Sequence, residues 1–548
     1  MPLGGLGRIG GNMMLYESDD DIVVVDCGIN FPRSDELGVD QVIPDASYLR
    51  QPQKRAKLRA YVITHGHEDH LGALPRIWPE LPAPVYATRF TQELLKQKMS
   101  AALSGQLRAL EDGVAVQIGG FSILPIPVCH SIPGAVALAL HTSVGTVVHT
   151  GDFKFEDNPL DGRRTDEETL RRLGDQGVTA LFSDSTNSEK IGHTGSERQV
   201  AATLHEWISS ASQRVLVTTF ASNVHRLQSI IDVAARCDRQ VIITGRSVEQ
   251  FIALACHSGA MTYPAGIVVD SEHFASLPPN KVLVIASGCQ GEPRSGLGRI
   301  ARGRHRDVTL GEGDRVVWSA RRIPGNERAI GALYDQFLRQ GVELIDERVA
   351  QVHTSGHAYN DEQRRMIELC RPKFFIPVHG EYRHMVRHAQ LAARTGVPAQ
   401  NIHIIEDGHP LAFNRVGEHI VAQRRDIVPH GVLYVNNGNR ELIGDKVMRD
   451  RRLLADAGFV TCAILLNGDG ALIGEPTVLT RGVIVVDDHV ELLEQAAQDA
   501  ADLISNITQP IDPQKVERLI RKTLKEFFRR TLQCRPFIVV RVQELQGG

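Results

Sequence analysis

What the 548-residue chain lacks already narrows its class. None of its eight cysteines falls in a CxxC pair. Cys27, Cys129, Cys237, Cys256, Cys289, Cys370, Cys462 and Cys534 are scattered, mostly in apolar runs where a thiol packs as a small hydrophobe. That excludes a small disulfide scaffold and fits a reducing, cytoplasmic setting. No uninterrupted run of 18 apolar residues occurs, so no membrane-spanning helix is expected. The N-terminus MPLGGLGRIGG has no apolar stretch of the kind a signal peptide needs. There is no tandem repeat and no low-complexity tract. Net charge is small: 61 Lys+Arg against 65 Asp+Glu gives −4. The sum therefore points to no nucleic-acid partner, and a local basic surface remains compatible with one. Hydrophobic residues make up 42% and charged residues 23%, so the chain is a soluble globular type rather than a disordered one. Its length fits two to four domains.

What is present alternates in texture. Short β-branched runs punctuated by Gly, Pro and Asp fill the first 180 residues: 21–26, 60–64, 121–126, 135–140 and 145–149 read as strands. From 196 to 350 strands alternate with helical spacing, as in 214–219, 224–236 and 240–244, which predicts parallel βαβ units. A strand is expected at 374–379, a connector over 420–450, and strands at 460–466, 483–486 and 537–542 near the end. The last helix opens with Asp512 and Pro513, and carries an apolar stripe of Val516, Leu519, Ile520, Leu524, Phe527 and Phe528.

The central signal is His65-Gly66-His67-Glu68-Asp69-His70, directly after a strand. Imidazoles and carboxylates are good zinc ligands, and a turn at a strand end can splay alternate side chains toward two centres. His65 and His67 would face one ion, Asp69 and His70 another. Asp26, His130, Asp152 and His379 each stand just past another apolar strand, where α/β sheets present their chemistry. Two divalent ions about 3.5–4 Å apart would generate hydroxide near neutral pH and stabilise the charge on phosphorus during in-line attack.

This set resembles the motifs of the metallo-β-lactamase fold, a four-layer αββα sandwich with a dinuclear metal site. Ser183-Asp184-Ser185-Thr186-Asn187, Ser355-Gly356-His357 and Pro377-Val378-His379-Gly380-Glu381 are similar to the further motifs of the β-CASP nucleases. Pro2-Leu3-Gly4-Gly5, Thr219-Phe220-Ala221-Ser222-Asn223-Val224-His225-Arg226 and Ile323-Pro324-Gly325-Asn326-Glu327 resemble the bacterial ribonuclease J family. The chain departs from that pattern in three places. Only Met1 precedes Pro2, Gly134 stands where an acidic residue is usual, and Cys534 where a basic one is.

The resemblance implies an α/β fold: the sandwich, an inserted α/β β-CASP domain and a small α/β C-terminal domain. The expected boundaries are 1–195 with 351–430, then 196–350, a linker at 431–455, and 456–548. It implies two divalent metals per subunit, zinc foremost, with Mn²⁺ or Mg²⁺ as alternatives. One would be held by His65, His67 and His130, the other by Asp69, His70 and His379, with Asp152 bridging. Asp26 would orient a ligand imidazole from behind. His357 would hold the scissile phosphate or protonate the leaving 3′ oxygen, with Asp184 fixing its tautomer. His353, Thr354, Ser355, Gly356, Ser222, Asn223, His225 and Arg226 would bind RNA. Ser222 or Asn223 could equally be plain helix caps. RNA rather than DNA is implied by His379, since RNA-acting β-CASP proteins carry His in that motif.

The implied activity is 5′→3′ exonuclease action on 5′-monophosphorylated RNA, with internal cuts and 5′-phosphate products, in rRNA maturation and mRNA decay. Implied partners are RNA, further copies of the chain as dimer or tetramer through the C-terminal domain, and other RNA-decay proteins; the apolar stripe of the last helix is by itself more often plain core. A thioester or lactone hydrolase of the same fold, and a non-catalytic RNA-binding scaffold, remain competing readings.

Overall fold

The computed structural model describes residues 1–33, 35–436, 441–468, 470–507 and 512–544. They divide into two compact units, Met1–Phe31 with Gln41–Val432, and Pro32–Asp40 with Leu433–Gly548.

The first unit is built on two six-stranded sheets stacked face to face. One runs Pro2–Gly4, Met13–Glu17, Ile22–Val25, Leu58–Val62, Val85–Ala87, Leu107–Ala109. The other runs Phe374–Val378, Val178–Asp184, Gly145–His149, Val136–Thr142, Phe121–Pro127, Val116–Ile118. Successive strand residues point to opposite faces, and the sequence uses both. In Val136–Thr142, Val136, Leu138 and Leu140 enter the core between the sheets beside Val23, Val25 and Val62. Ala137 and Ala139 face outward with Leu181 and Phe375. Against that outer face pack Leu170 and Leu173 of helix Glu167–Gln176, Met366 and Ile367 of helix Asn360–Cys370, and Ala392 of helix Tyr382–Arg394. The alanines let these helices approach closely. On the far side of the first sheet, Tyr61 points away from the inter-sheet core and donates its hydroxyl to Leu81 O at 2.9 Å, just beyond the short helix Leu74–Ile77. The layers are therefore helix, sheet, sheet, helix.

Between residues 196 and 350 lies a third sheet, ordered Val268–Val269, Gln240–Thr244, Val282–Ala286, Val215–Thr218, Arg315–Trp318, Glu343–Ile345. Every pairing in it is parallel, as strand–helix alternation requires. Among its helices are Glu197–Ser209, Val224–Arg236, Arg246–Ser258 and Glu327–Arg339.

The second unit pairs Thr477–Arg481, Phe459–Leu466 and Phe537–Glu544, with helices Val490–Ser505 and Pro513–Leu532 over one face. Two expectations are corrected here, the strand at 483–486 and the connector and linker, and the stripe of the last helix is decided between core and surface. The apolar stripe of the last helix is core: Val516, Ile520, Leu524, Phe527 and Phe528 pack on Val460, Cys462 and Ile464, and only Leu519 is exposed. The strand expected at 483–486 lies earlier, at Thr477–Arg481. The connector expected over 420–450, and the linker over 431–455, instead hold strands His419–Arg424 and Val432–Asn436 and a 13-residue helix, Asp445–Ala457. Residues 437–440, 469, 508–511 and 545–548 of the expected linker and C-terminal domain lie outside the described residues.

Among the described residues no helix is long and apolar enough to cross a membrane. All eight cysteines are free thiols.

Candidate metal centre and nucleic-acid interface

Six strands end at the same edge of the sandwich. Asp26 follows Ile22–Val25, His65 follows Leu58–Val62, His130 follows Phe121–Pro127, Asp152 follows Gly145–His149, Asp184 ends Val178–Asp184, and His379 follows Phe374–Val378. The HxHxDH segment changes conformation midway. His67 has extended backbone, and its ring meets that of His65, two residues earlier, with centroids 4.9 Å apart. Glu68–Leu71 is a helical turn that swings Asp69 and His70 elsewhere. A Cβ on Gly66 would meet Leu94 Cδ1 at 2.4 Å, so that side chain would have to move aside.

The result is two overlapping clusters of ligand atoms. His65, His67, His130 and Asp152 form one, and Asp69, His70, Asp152 and His379 the other. A third, Asp152, Asp184, His357 and His379, adjoins them. His67 Nδ1 lies 3.1 Å from His65 Nε2 and 3.0 Å from His130 Nε2. Asp152 Oδ2 is 3.2 Å from His70 Nε2, 3.5 Å from His65 Nε2 and 3.6 Å from His130 Nε2.

Behind three of these rings stands a partner for the outer nitrogen, which frees the inward nitrogen to offer a lone pair to a metal. His70 Nδ1 is 2.7 Å from Asp26 Oδ2. His130 Nδ1 is 2.7 Å from Gly356 O. His65 Nδ1 is 3.0 Å from Thr64 Oγ1, whose own proton goes to Asp26. Burial, and then the neighbouring His65, hold the His67 cation off, lowering its pKa to about 3; burial also lowers that of His130. Asp152 and Asp69 remain ionised: burial opposes this, but the surrounding imidazoles outweigh it. Bare imidazole nitrogens converging within about 3 Å, beside ionised carboxylates, repel one another unless a cation lies among them. Asp152 Oδ1 is fully buried and accepts no hydrogen bond. The donor set therefore fits divalent metal.

Two of the residues around the centre have backbones that ordinary side chains avoid. Asp26 has φ 63° and His379 φ 51°. Asp26 accepts from Thr64 N at 2.8 Å as well as holding His70. Asparagine tolerates positive φ, so Asp26→Asn removes the charge with little backbone penalty. It is expected to weaken metal binding about 10–100-fold, read by metal titration with the fold checked by circular dichroism.

His357 and His379 share one carboxylate. Asp184 Oδ2 is 2.8 Å from His357 Nδ1, and Oδ1 is 3.2 Å from His379 Nδ1. Thr186 Oγ1 donates to Asp184 Oδ1 at 2.7 Å and touches His379 Nδ1 at 2.8 Å. Asn187 Nδ2 donates to Ser355 Oγ and to His357 O at 2.9 and 3.0 Å. His357 Nε2 is left facing Asp152, 3.8 Å away. Thr64, Thr186 and Asn187 support the ligands without having been singled out individually as site residues. A threonine or asparagine beside a motif carries no periodic or spacing signal.

The expected RNA-binding residues divide. His353, Thr354, Ser355 and Gly356 flank His357 on one loop. The Thr354 hydroxyl donates to Gly195 O at 2.7 Å, and the His353 Nδ1 is buried without a hydrogen bond. Gly356 turns its carbonyl to His130, and a Cβ there would meet that ring at 2.9 Å. His225 lines a pocket with His130, Lys154, Arg163 and Glu197, while Ser222 is half-buried at the turn before it. Asn223 is the helix cap, accepting from Arg226 N at 3.0 Å.

Arg226 is corrected outright: it is 0% exposed. Its guanidinium meets Glu197 at 2.8 Å through both Nε and Nη2, and donates to Ser319 Oγ at 2.6 Å and Val352 O at 3.0 Å. No surface remains for RNA. It instead ties the inserted sheet to the chain entering the His357 loop. Burial opposes ionisation of Glu197, but Arg226 holds its carboxyl down to about 2 from 4.5. The stabilisation is complete above pH 4.5 and is lost as pH falls toward 2. Arg226→Ala leaves that carboxylate buried and unpaired. A loss of about 3–5 kcal/mol in unfolding free energy is expected at pH 7 in denaturant titrations.

Comparison with known proteins agrees with this architecture. Residues 6–211 match the metallo-beta-lactamase superfamily, and 212–337 the ribonuclease J beta-CASP domain. Residues 343–404 match the Zn-dependent metallo-hydrolase RNA specificity domain, and 446–545 the ribonuclease J C-terminal domain. A ribonuclease J of Sinorhizobium meliloti is 38% identical over 510 residues, covering 91% of this chain and 88% of that one. That of Mycolicibacterium smegmatis is 36% identical over 553 residues, covering 99% and 96%. That of Helicobacter pylori (strain J99) is 35% identical over 540 residues, covering 96% and 77%. A solved structure of a protein of unknown function from Enterococcus faecalis V583 shares the fold at TM-score 0.51 and 15% identity, covering 73% of this chain and 96% of that one. Identity of this order sustained from one end to the other, over a sandwich whose strand ends gather imidazoles and carboxylates, places the chain in the ribonuclease J family.

Proposed function

We propose that the protein is a metal-dependent ribonuclease that hydrolyses RNA phosphodiester bonds to leave 5′-phosphate ends. It acts 5′→3′ on 5′-monophosphorylated RNA and also cuts internally, in the rRNA maturation and mRNA decay of the cytoplasm. The observation that carries the reading is the pair of ligand clusters sharing Asp152, with His357 beside them.

His65, His67 and His130 would hold one cation, Asp69, His70 and His379 a second, and Asp152 both. Zinc suits this nitrogen and oxygen set, with Mn²⁺ or Mg²⁺ as alternatives. When bound, such a pair acidifies water and neutralises charge on the phosphoryl group. The remaining work belongs to the chain. Asp26, Thr64 and Gly356 O keep the ligand imidazoles in the tautomer that offers a lone pair. Asp184 accepts from His357 Nδ1 and, with Asp152, favours the imidazolium, whose second proton on Nε2 faces the site and is available to the leaving 3′ oxygen. Ser355 Oγ accepts from Asn187 and from His357 N, which leaves its own proton for a phosphate oxygen. His225, in the pocket with His130, and His353, whose Nδ1 has no hydrogen bond, would meet the RNA backbone.

The domain reading is a catalytic sandwich over 1–195 and 351–430, with 196–350 inserted. The C-terminal unit is proposed to bring copies together as dimer or tetramer. The surface is the sheet face opposite its helices, where Leu465, Leu479 and Val539 are 41%, 56% and 37% exposed. Leu465→Arg with Leu479→Arg should lower the mass seen by light scattering; an unchanged mass rejects that surface.

The function is tested by incubating 5′-monophosphorylated RNA with the metal-loaded enzyme, with a chelator control, and mapping product ends. The reading expects chelator-sensitive cleavage giving 5′-phosphates. Intact RNA beside rapid thioester hydrolysis would favour the small-molecule hydrolase instead.

A further inference from the structure

Two cations beside the His357 loop have no anion of their own. Arg321 follows strand Arg315–Trp318 of the inserted sheet, and Lys190 follows Val178–Asp184 of the sandwich. Arg321 Nη1 donates to Asn187 Oδ1 at 2.9 Å. The nitrogen of that same amide holds Ser355 Oγ and His357 O. Lys190 Nζ lies 3.3 Å from the Tyr359 hydroxyl and 4.8 Å over its ring. Backbone bonds fix the arrangement: Lys190 N donates to Asn187 O at 2.8 Å, Asn360 N donates to Lys190 O at 3.0 Å, and Asn187 is bridged to Tyr359.

The neighbours of these cations are neutralised. Arg322 and Arg348 share Asp346, and Arg383 meets Glu381 and Glu189. Among the described residues, Lys190 and Arg321 form no ion pair within 4 Å. Both are half-buried. Burial, and then the charge of Arg321, pull the Lys190 pKa down to about 8, with Glu347 opposing. Two like charges held together and partly dehydrated are unfavourable without a counter-ion. A guanidinium with free N–H groups next to an ammonium is a donor set for a phosphate.

We propose that Arg321 and Lys190 form a phosphodiester subsite, which takes the RNA backbone phosphate next to the one being cleaved. One amide, that of Asn187, bonds both the guanidinium and the His357 loop, so the anion held there is a neighbour of the scissile group. The subsite rests on the ribonuclease reading. It adds a second point of backbone contact, contributed jointly by the inserted sheet and the sandwich, that fixes the register of the strand.

The test uses the metal-loaded full chain and single-stranded phosphorothioate RNA that resists cleavage. Binding is followed by fluorescence anisotropy across a range of KCl. Each of Arg321→Gln and Lys190→Gln should weaken binding about tenfold at physiological salt and reduce the slope of log affinity against log salt by about 0.7. Lys281→Gln, which removes an equal charge from an exposed pair with Asp238, serves as the matched control and should leave the slope where it was. Among the described residues the Lys190 head group has its hydrogen bond and ring contact with Tyr359 alone, so its variant should keep the fold, verified by thermal melts. With RNA that can be cut, the rise in KM should exceed the fall in kcat. Slopes equal to the Lys281→Gln control in either variant overturn the subsite. A wild-type chain that binds no RNA overturns the ribonuclease reading and the subsite with it, a result distinct from variants that fail to differ.

Discussion

Replacing Asp152 with asparagine is expected to lower kcat for RNA cleavage by about 10³–10⁵-fold, since several kcal/mol of charge stabilisation are at stake and each 1.36 kcal/mol is tenfold. The size follows from position. Asp152 is the one residue common to all three ligand clusters of the described chain, and imidazoles of His65, His70, His130, His357 and His379 approach its carboxylate at 3.2–3.8 Å. Asparagine keeps the volume and removes the charge. The cluster is then left with imidazoles facing one neutral amide, so bound metal should fall from two ions per chain to one or none. Kinetics and metal analysis on the same preparation read both effects. An asparagine variant with full activity and full metal content would remove Asp152 from the centre.

His357→Ala is expected to cost about 10²–10⁴ in kcat, the range for losing a positioned acid. The ring is supported from behind: Asp184 Oδ2 takes Nδ1 at 2.8 Å, and Ser355 and Asn187 fix the backbone that carries it. Burial disfavours its cation, yet the charges of Asp184 and Asp152 prevail and its pKa is raised above 6.5. The sign for activity follows. An acid must be protonated to act, so activity should persist through pH 6.5 and decline at higher pH as the proton is lost. Asp184→Asn removes a charge that favours the cation, so the decline should move to lower pH. A pH–rate profile for kcat distinguishes this from a structural defect, which would lower activity without moving the limb.

The metal centre was legible in the chain because its densest part is local. HxHxDH delivers four candidate ligands from six residues, and each remaining candidate announces itself as a titratable residue just past an apolar strand. The parallel insert was legible from strand–helix alternation. What sequence could not carry was anything decided by burial at long range. Arg226 sits at a strand-to-helix turn, a reasonable place to meet phosphate. Its fate is set by Glu197, 29 residues away, and by Ser319 and Val352, about a hundred or more away. The stripe on Pro513–Leu532 presents the same ambiguity: periodicity marks an apolar face but not whether it meets its own sheet or another copy. Its own sheet covers it, which leaves Leu465, Leu479 and Val539 on the opposite face as the exposed apolar surface. Thr64 leaves no trace in spacing, since any polar side chain can stand beside a motif, and Thr186 lies inside a quoted motif without its part in holding His379 being marked there.

The most direct test counts cations on the purified chain and asks what they do. Native mass spectrometry with elemental analysis should find two divalent ions per chain. Exhaustive chelation should abolish RNA cleavage while the fold persists, and readdition of the metal should restore it. A chain freed of every divalent ion that still cuts RNA at the original rate would contradict the account at its root.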